Sequence, residues 1–326
     1  MLAVVLAAGR GTRLGPLTAH RSKAMMPVAG QPMIEHVLDM LSEADPERFI
    51  VVVHPADHEL SSHLRRSSRC DRIDVAYQKQ RLGMAHALEC AAPLIGETKA
   101  LAFVLASCDN LYPEGHVANL LHRRREDRLD AALTLMWTPR EMATESAVAI
   151  IEDSLVADII EKPALEDIPR YGQRQDALGV PSLYALSSSV LDYLSQVNRS
   201  PRGEREFPDV LRLLIADGWR VGGQQVGHRM TLTKPEDLLA LNRHMLRDNP
   251  ACATVNTKLP PDVTIVPPVR IEEGVTVAAG CSIGPDVYLE SGCRIGASAT
   301  IRRSVVMRNA TLEQARVVVD SVITGR

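Results

Sequence analysis

Near its C-terminal end the chain repeats itself every six residues. Ile265, Ile271, Val277, Ile283, Leu289, Ile295, Ile301 and Met307 follow one another at that spacing without a gap. With 45% of the chain hydrophobic, eight apolar residues in one chosen phase arise by chance about 0.2% of the time. From the second onward, each is preceded two positions earlier by a small or β-branched residue: Val269, Val275, Cys281, Val287, Cys293, Ala299 and Val305. Glycines recur at Gly274, Gly280, Gly284, Gly292 and Gly296. Short strands that turn a corner and stack their aliphatic residues on the coil below satisfy such a period, which makes this stretch a parallel β-helix. Three six-residue units per coil give three to four coils. Cys281 and Cys293, twelve residues apart, then lie on different faces as core filler. The phase is expected to slip after Met307, with Leu312 and Val318 resuming it.

The preceding 248 residues read differently. Apolar runs at 2–6, 49–53, 73–77, 101–105 and 131–136 alternate with helical patterns at 33–41 and 84–92. Shorter strands follow at 148–151, 156–160 and 183–186, then helices near 209–216 and 235–246. Continuous apolar runs separated by helices indicate strands covered on both faces. The expected fold is therefore α/β, with a Rossmann-like, mixed but mainly parallel sheet and helices on both faces. The expected domains are 1–248, a linker at 249–262 that opens on Asn249-Pro250 and contains Pro260-Pro261, and the β-helix at 263–326.

Composition narrows the classes of function. The 326 residues, 24% of them charged, have the makeup of a globular chain with room for two domains. A net charge of −3 and only 3% aromatics argue against binding a nucleic-acid polymer or an anionic membrane. The run Arg123-Arg124-Arg125 reads as the solvated end of a helix. No stretch approaches the ~18 apolar residues of a membrane span. The N-terminal apolar run ends at Gly9 with no basic residue before it, unlike a secretion signal. Six scattered cysteines with no C-x-x-C indicate reduced thiols, and a cytoplasmic protein is expected.

The chemistry concentrates in the first thirty residues. The strand at 2–6 runs into Ala7-Ala8-Gly9-Arg10-Gly11-Thr12-Arg13-Leu14. A glycine-rich loop after a first strand lets backbone N–H groups approach phosphate oxygens with no Cβ in the way. The dinucleotide motif G-x-G-x-x-G fails because Leu14 stands at its third glycine, and the P-loop fails because Leu14-Gly15 replaces Gly-Lys. What stands is G-x-G-T-R, then Lys23 ten residues after Arg13, within Arg21-Ser22-Lys23-Ala24-Met25-Met26-Pro27-Val28, with Gly30, Pro32 and Met33 beyond.

These residues resemble the sugar-1-phosphate nucleotidyltransferases of the long form, which carry a left-handed hexapeptide β-helix after the catalytic domain. Further segments match in order. Gln78 to Ala87 resembles the family's Q-x-x-x-L-G-T-A-x-A, with Met84 for Thr; Asp109-Asn110 resembles G-D-N, with Cys108 for Gly; Glu161-Lys162-Pro163 resembles E-K-P; and Lys234 to Leu239 resembles T-P-E-D-L-L. The resemblance implies an in-line attack by a sugar 1-phosphate on the α-phosphorus of a nucleoside triphosphate, with pyrophosphate leaving. It assigns Ala8, Gly9, Gly11, Thr12 and Arg13 to the triphosphate, and Lys23 to the α-phosphate. Gln78 and Gly83 fall to the pyrimidine edge, and hence to UTP or dTTP, with GTP left open. Asp109 falls to Mg²⁺, while Glu161, Lys162 and Gly179 fall to the sugar phosphate. Arg13, Lys23, Asp109 and Lys162 are the implied catalytic residues.

Two departures stand out. The family's second metal carboxylate falls on Thr231, a poor Mg²⁺ ligand. The segment that offers a turn to the sugar reads Leu178-Gly179-Val180-Pro181-Ser182. They leave room for an alternative, a weak or inactive regulatory paralogue that binds nucleotide or nucleotide sugar and acts through its β-helix. Acetyl transfer by the β-helix is not expected, since no histidine follows His244. The repeats are expected to build a homo-oligomer, because stacked coils present flat faces.

Overall fold

The computed structural model describes residues 1–171 and 176–325. By internal contacts the chain forms two compact units. One comprises Met1–Gly9 with Val37–Arg229, the other Arg10–His36 with Met230–Arg326. The division falls away from the sequence boundary near residue 248: the segment after the first strand and the helix Pro235–Asp248 group with the repeats.

Among the described residues the first unit centres on a ten-stranded sheet: β1 (Leu2–Leu6), β2 (Arg48–Val53), β3 (Ile73–Tyr77), β4 (Ala102–Ser107), β5 (Ala131–Pro139), β6 (Ala147–Glu152), β7 (Leu155–Glu161), β8 (Asp176–Gly179), β9 (Leu183–Ser187) and β10 (Val221–Gln225). They order as β7-β6-β8-β5-β9-β4-β1-β2-β3, with β10 beside β5. The half β4-β1-β2-β3 is parallel throughout, while β9, β8, β6 and β7 join antiparallel. Leu2, Val4 and Leu6 pack with Phe103 and Leu105 against Leu88, Ala91 and Ile95 of the helix Met84–Thr98. Ala3 and Val5, pointing the other way, are equally buried. Both faces of β1 are thus out of water, which is why its sequence is a solid apolar run rather than an alternation. The fourth strand starts one residue later than the apolar run suggests. Leu101 is 86% exposed, in the turn that precedes the sheet.

Register decides where the chain leaves the sheet. Leu6 pairs with Ser107 and Val52, and Val53 with Tyr77. The segments beginning at Ala7, Gln78 and Cys108 therefore emerge together at the carboxyl edge, where open α/β sheets bind ligands. Their first amides stay on the ladder: Ala7 N–H donates to Val52, Gln78 N–H to Val53 and Cys108 N–H to Leu6. Arg123, Arg124 and Arg125 close the last turn of the helix His116–Glu126, where cations suit the helix dipole.

The second unit contains the repeats as three stacks of parallel strands, each strand pairing with the third one on. Every six-spaced residue from Ile271 to Ile301 is buried in one continuous core. One sequence expectation is corrected. Val269 pairs with Val287 eighteen residues on, but Tyr288 pairs with Val305 only seventeen on, so a residue is missing from the corner between Arg302 and Val305. Val306, not Met307, is the next core residue, and Leu312 and Val318 follow it at six-residue steps. The slip comes one unit earlier than the pattern suggests because Met307 is also apolar and masks it. The buried Ser304 closes the short corner, donating from Oγ to the Arg302 carbonyl at 2.6 Å. Part of the expected linker is coil: Asn256 N–H donates to Ile271 O, Ile271 N–H to Thr254 O, and Leu259 packs on the repeat core. No described helix is long and apolar enough to cross a membrane.

Candidate active site

In the first unit three groups of the expected residues form local constellations. Beyond β3, Gln78 is buried and donates from Nε2 to the Gly83 carbonyl and to His86 Nδ1, both at 3.1 Å. Neither bond uses Oε1, the acceptor that the imide N–H of uracil or thymine requires. Gly83 opens the helix Met84–Thr98 at φ 94°, ψ 179°, and a Cβ there would meet the Arg205 carbonyl oxygen at 2.5 Å. Only glycine fits, and for a reason internal to the fold: Arg205 N–H donates to Leu82 O and Ala85 N–H to Arg205 O across that point. Arg81 of the same loop donates from Nε to the Ala8 carbonyl at 2.7 Å, tying it to the start of the glycine loop.

Beyond β4, Asp109 is half-buried with one carboxylate oxygen held by Ser107 Oγ at 2.6 Å and Asn110 Nδ2 at 2.8 Å. Asn110 is itself buried, and its carbonyl oxygen accepts from Arg229 Nη1. Arg229 thereby settles which way the Asn110 amide points, and that amide orients the Asp109 carboxylate. Sequence reading missed both Arg229 and Arg81: Arg229 lies outside any matched motif, and Arg81 stands at a position that the Gln78 to Ala87 pattern leaves open. Among the described residues no three His, Cys, Asp or Glu are grouped to hold a metal. A single oriented carboxylate nonetheless fits Mg²⁺, which is held in many enzymes by one or two carboxylates with substrate phosphates.

At the end of β7, Lys162 sits at φ 48°, a left-handed conformation that a lysine adopts only when its surroundings impose it. Its N–H donates to the Ser146 carbonyl, and its Nζ lies 3.7 Å from Glu161. Arg202 bridges Glu161 at 3.1 Å and the buried Glu206 at 2.8 Å. Burial first, then the Glu206 carboxylate, pushes Glu161 above its usual range against the pull of Lys162 and Arg202. Gly179 lies in no turn: it ends β8, buried in the sheet, with room for a Cβ only 3.2 Å from Thr138 Oγ1.

In the second unit the loop folds back on itself. Gly11 takes φ 65°, and its carbonyl accepts from Leu14 N–H and from Thr18 Oγ1 at 3.1 Å. A Cβ on Gly11 would lie 3.2 Å from Cβ of Lys23 and equally near Thr18 Cγ2. Lys23 begins a short 3-10 turn, Lys23–Met25. Thr12 and Arg13 are exposed, as is Gly9, around which a Cβ would find open space. Thr231 Oγ1 shares a 3.0 Å hydrogen bond with Thr233 Oγ1.

A family model described as nucleotidyl transferase matches residues 2–227. The chain belongs to the nucleotidyl transferase family. A second model, the GMPPB C-terminal domain, matches residues 265–326 of this transferase, the span of the repeats. The transferase is 32% identical over 239 residues to the UTP–glucose-1-phosphate uridylyltransferase AglF of Haloferax volcanii, covering 73% of this chain and 93% of that protein. It is 28% identical, over an alignment of 341 positions, to the bifunctional protein GlmU of Methanococcus maripaludis, covering 99% of this chain and 77% of that one. Its fold is shared with a solved UDP-glucose pyrophosphorylase complexed with UDP-glucose, at a TM-score of 0.66 and 20% identity over 76% of this chain and 99% of that one.

Proposed function

We propose that the chain joins a sugar 1-phosphate, a hexose 1-phosphate by preference, to UTP or dTTP and releases pyrophosphate. The observation that carries the reading is the closeness of Gly11 to Lys23, where an added Cβ would lie 3.2 Å from Lys23 Cβ, so that the glycine loop and the lysine beyond it form one element rather than two motifs. A phosphate oxygen of the sugar phosphate attacks the α-phosphorus in line, and the bond to the β-phosphate oxygen breaks. No covalent protein intermediate is needed, so the protein's contribution is position and charge. Exposed N–H groups of the loop with Thr12 and Arg13 take the β- and γ-phosphates, and the ammonium of Lys23 meets the charge that grows on the α-phosphate. Lys162, held in a conformation that only its surroundings stabilise, takes the incoming phosphate, with Glu161 beside it. Gln78 reads the base with Oε1, its Nε2 being held by Gly83 and His86, and this favours a pyrimidine. Asp109 would hold Mg²⁺, which supplies charge neutralisation at the phosphates.

Thr231 favours a second reading, a regulatory paralogue that binds nucleotide or nucleotide sugar without turning it over. Its hydroxyl is engaged with Thr233 where the resemblance expects a carboxylate. Pyrophosphate release with Mg²⁺, a panel of nucleoside triphosphates and a panel of sugar 1-phosphates separates the two. Release with one pair, abolished by Lys23→Ala and Asp109→Ala, supports the transferase reading. Silence across the panel, with nucleotide still raising Tm, supports the second.

A further inference from the structure

The residues around Lys23 are held by the repeats. Arg21, two positions before Lys23, is 8% exposed and forms an ion pair with Glu290 at 2.7 Å. Glu290 belongs to the repeat coil after Leu289, and its second oxygen accepts from the Arg308 N–H, one coil further on, at 2.8 Å. Both oxygens of this carboxylate are therefore committed, one to the loop segment and one to the β-helix. On the other side of Lys23 the chain forms a tight hairpin, Pro27–Val28 against Gln31–Pro32. Gly30 at its tip, φ 90°, approaches the guanidinium of Arg270 so closely that a Cβ would overlap it. Arg270 is itself fixed by Glu272 at 2.7 Å and the Cys252 carbonyl at 3.1 Å.

The hairpin is also clamped through the helix Pro235–Asp248. Asn242, 2% exposed, accepts from Ala29 N–H at 2.8 Å and donates to the Pro27 carbonyl at 3.1 Å. The same helix reaches the repeats through Arg247, which makes two hydrogen bonds to the fully buried carboxylate of Asp286. Four residues, Arg21 before Lys23 and Pro27, Ala29 and Gly30 after it, thus lead, directly or through one helix, to a repeat coil.

Burying Arg21 and Glu290 is costly. Each ion loses most of its hydration, and a hydrophobic pair of similar volume often serves stability as well or better. A buried pair of this kind therefore does something other than maximise stability. Its geometry shows what: two short 3-10 turns, Leu17–Ala19 and Lys23–Met25, flank Arg21 and offer little regular structure to hold the segment. We propose that Glu290 is a positioning residue for the nucleotide: through Arg21 it fixes the turn that presents Lys23. The β-helix then belongs to the nucleotide-binding apparatus rather than being an attachment to it. The inference rests on the functional reading above, in which Lys23 meets the α-phosphate.

The test uses the full chain with Glu290→Gln, which keeps the shape and removes the charge, and the double variant Arg21→Met with Glu290→Met, which leaves no unpaired buried charge. Steady-state pyrophosphate release gives KM for each substrate, and equilibrium titration with a UTP analogue bearing an α,β-methylene bridge gives Kd. The expected result is a nucleotide KM and Kd raised at least fivefold and kcat lowered about tenfold. The KM for the sugar 1-phosphate stays within twofold, because Glu161 and Lys162 lie in the other unit. A merely structural role would lower the amount of active protein, reducing kcat while leaving both KM values and the Kd unchanged. That outcome overturns the proposal, as does a stable double variant with wild-type nucleotide affinity. If the wild type binds the analogue but turns over no pair, the transferase reading fails and the Kd shift alone decides. A wild type that binds no nucleotide overturns both.

Discussion

Gly9 and Gly11 stand two apart in one motif, yet the structure gives them different reasons to be glycine. Gly11 is left-handed at φ 65°, and an added Cβ would press on Lys23 Cβ and Thr18 Cγ2 at 3.2 Å. Gly9 has neither constraint, since its Cβ would meet nothing within 4 Å. For Gly11→Ala the left-handed conformation costs about 1–2 kcal/mol. The stiffer unfolded chain returns about 0.4–1 kcal/mol of that. The two tight contacts then demand a shift of a few tenths of an ångström from Lys23 or Thr18. The net is a loss of roughly 1 kcal/mol, a fall in Tm of about 2–4 °C. Because one of the two crowded atoms is Lys23 Cβ, turnover falls about tenfold, a fraction of the hundredfold that a 1 Å misplacement costs. Gly9→Ala leaves Tm within 1 °C but places a methyl on the exposed surface that phosphate must approach, so nucleotide affinity falls while stability holds. Thermal melting of both variants with and without nucleotide, alongside pyrophosphate release, separates the effects. Equal Tm losses, or a Gly11→Ala enzyme with wild-type turnover, would refute the division of roles.

Other perturbations read different parts of the structure. Asp109→Asn preserves the bonds from Ser107 and Asn110 in shape while removing the charge; it should lower turnover at least a hundredfold with Tm nearly unchanged, and activity near wild type would sink the Mg²⁺ assignment. Glu161 has its folded pKa above the ordinary 4.5, so its charged form is disfavoured by folding and its ionisation above that pH costs stability. Glu161→Gln should therefore raise Tm at pH 7–8, with the gain fading as pH falls toward 4; a gain independent of pH would contradict the burial argument. Burial pushes the Cys293 thiol up to about 12, whereas Cys70 is exposed. A thiol reagent at pH 8 should label Cys70 quickly and reach Cys293 only on unfolding, so a Cys293→Ser variant that slowed native labelling would show the repeat core to be open.

Much of this was readable from residues alone, for reasons that differ by region. The repeats show because each strand contributes one inward residue and the stack enforces the spacing; the slip is read one unit too late because an apolar residue, Met307, follows the true core residue Val306. The inner strands of the parallel half, β1, β2 and β4, show because burial on both faces leaves their centres without a polar position, while β3 at the sheet edge keeps Asp74. The glycine loop, Gln78, Asp109 and Lys162 show because their chemistry comes in recognisable strings. The groups that aim those side chains stayed hidden. Arg229, Arg81 and the pair Arg21–Glu290 act across large sequence separations, and Arg229 lies outside every matched string while Arg81 and Arg21 fill positions where the strings name no residue. Gly179 misled for the opposite reason: glycine signals a turn in a string, while here it is buried at the end of a strand beside Thr138.

The ion pair between Arg21 and Glu290 has a temporal side. Glu290 lies 269 residues beyond Arg21, and the chain passes between the two compact units after Gly9, His36 and Arg229. On a ribosome moving at about 5–20 residues per second, Arg21 is made roughly 15–50 s before its partner exists. During that interval a guanidinium destined for burial and the lysine beside it must wait in water, while β1, already made, can enter its sheet with β2 and β4. On the role proposed for Glu290, release of the last coils is the event that lets the segment around Lys23 settle, and a stalled or truncated chain would carry that segment unset.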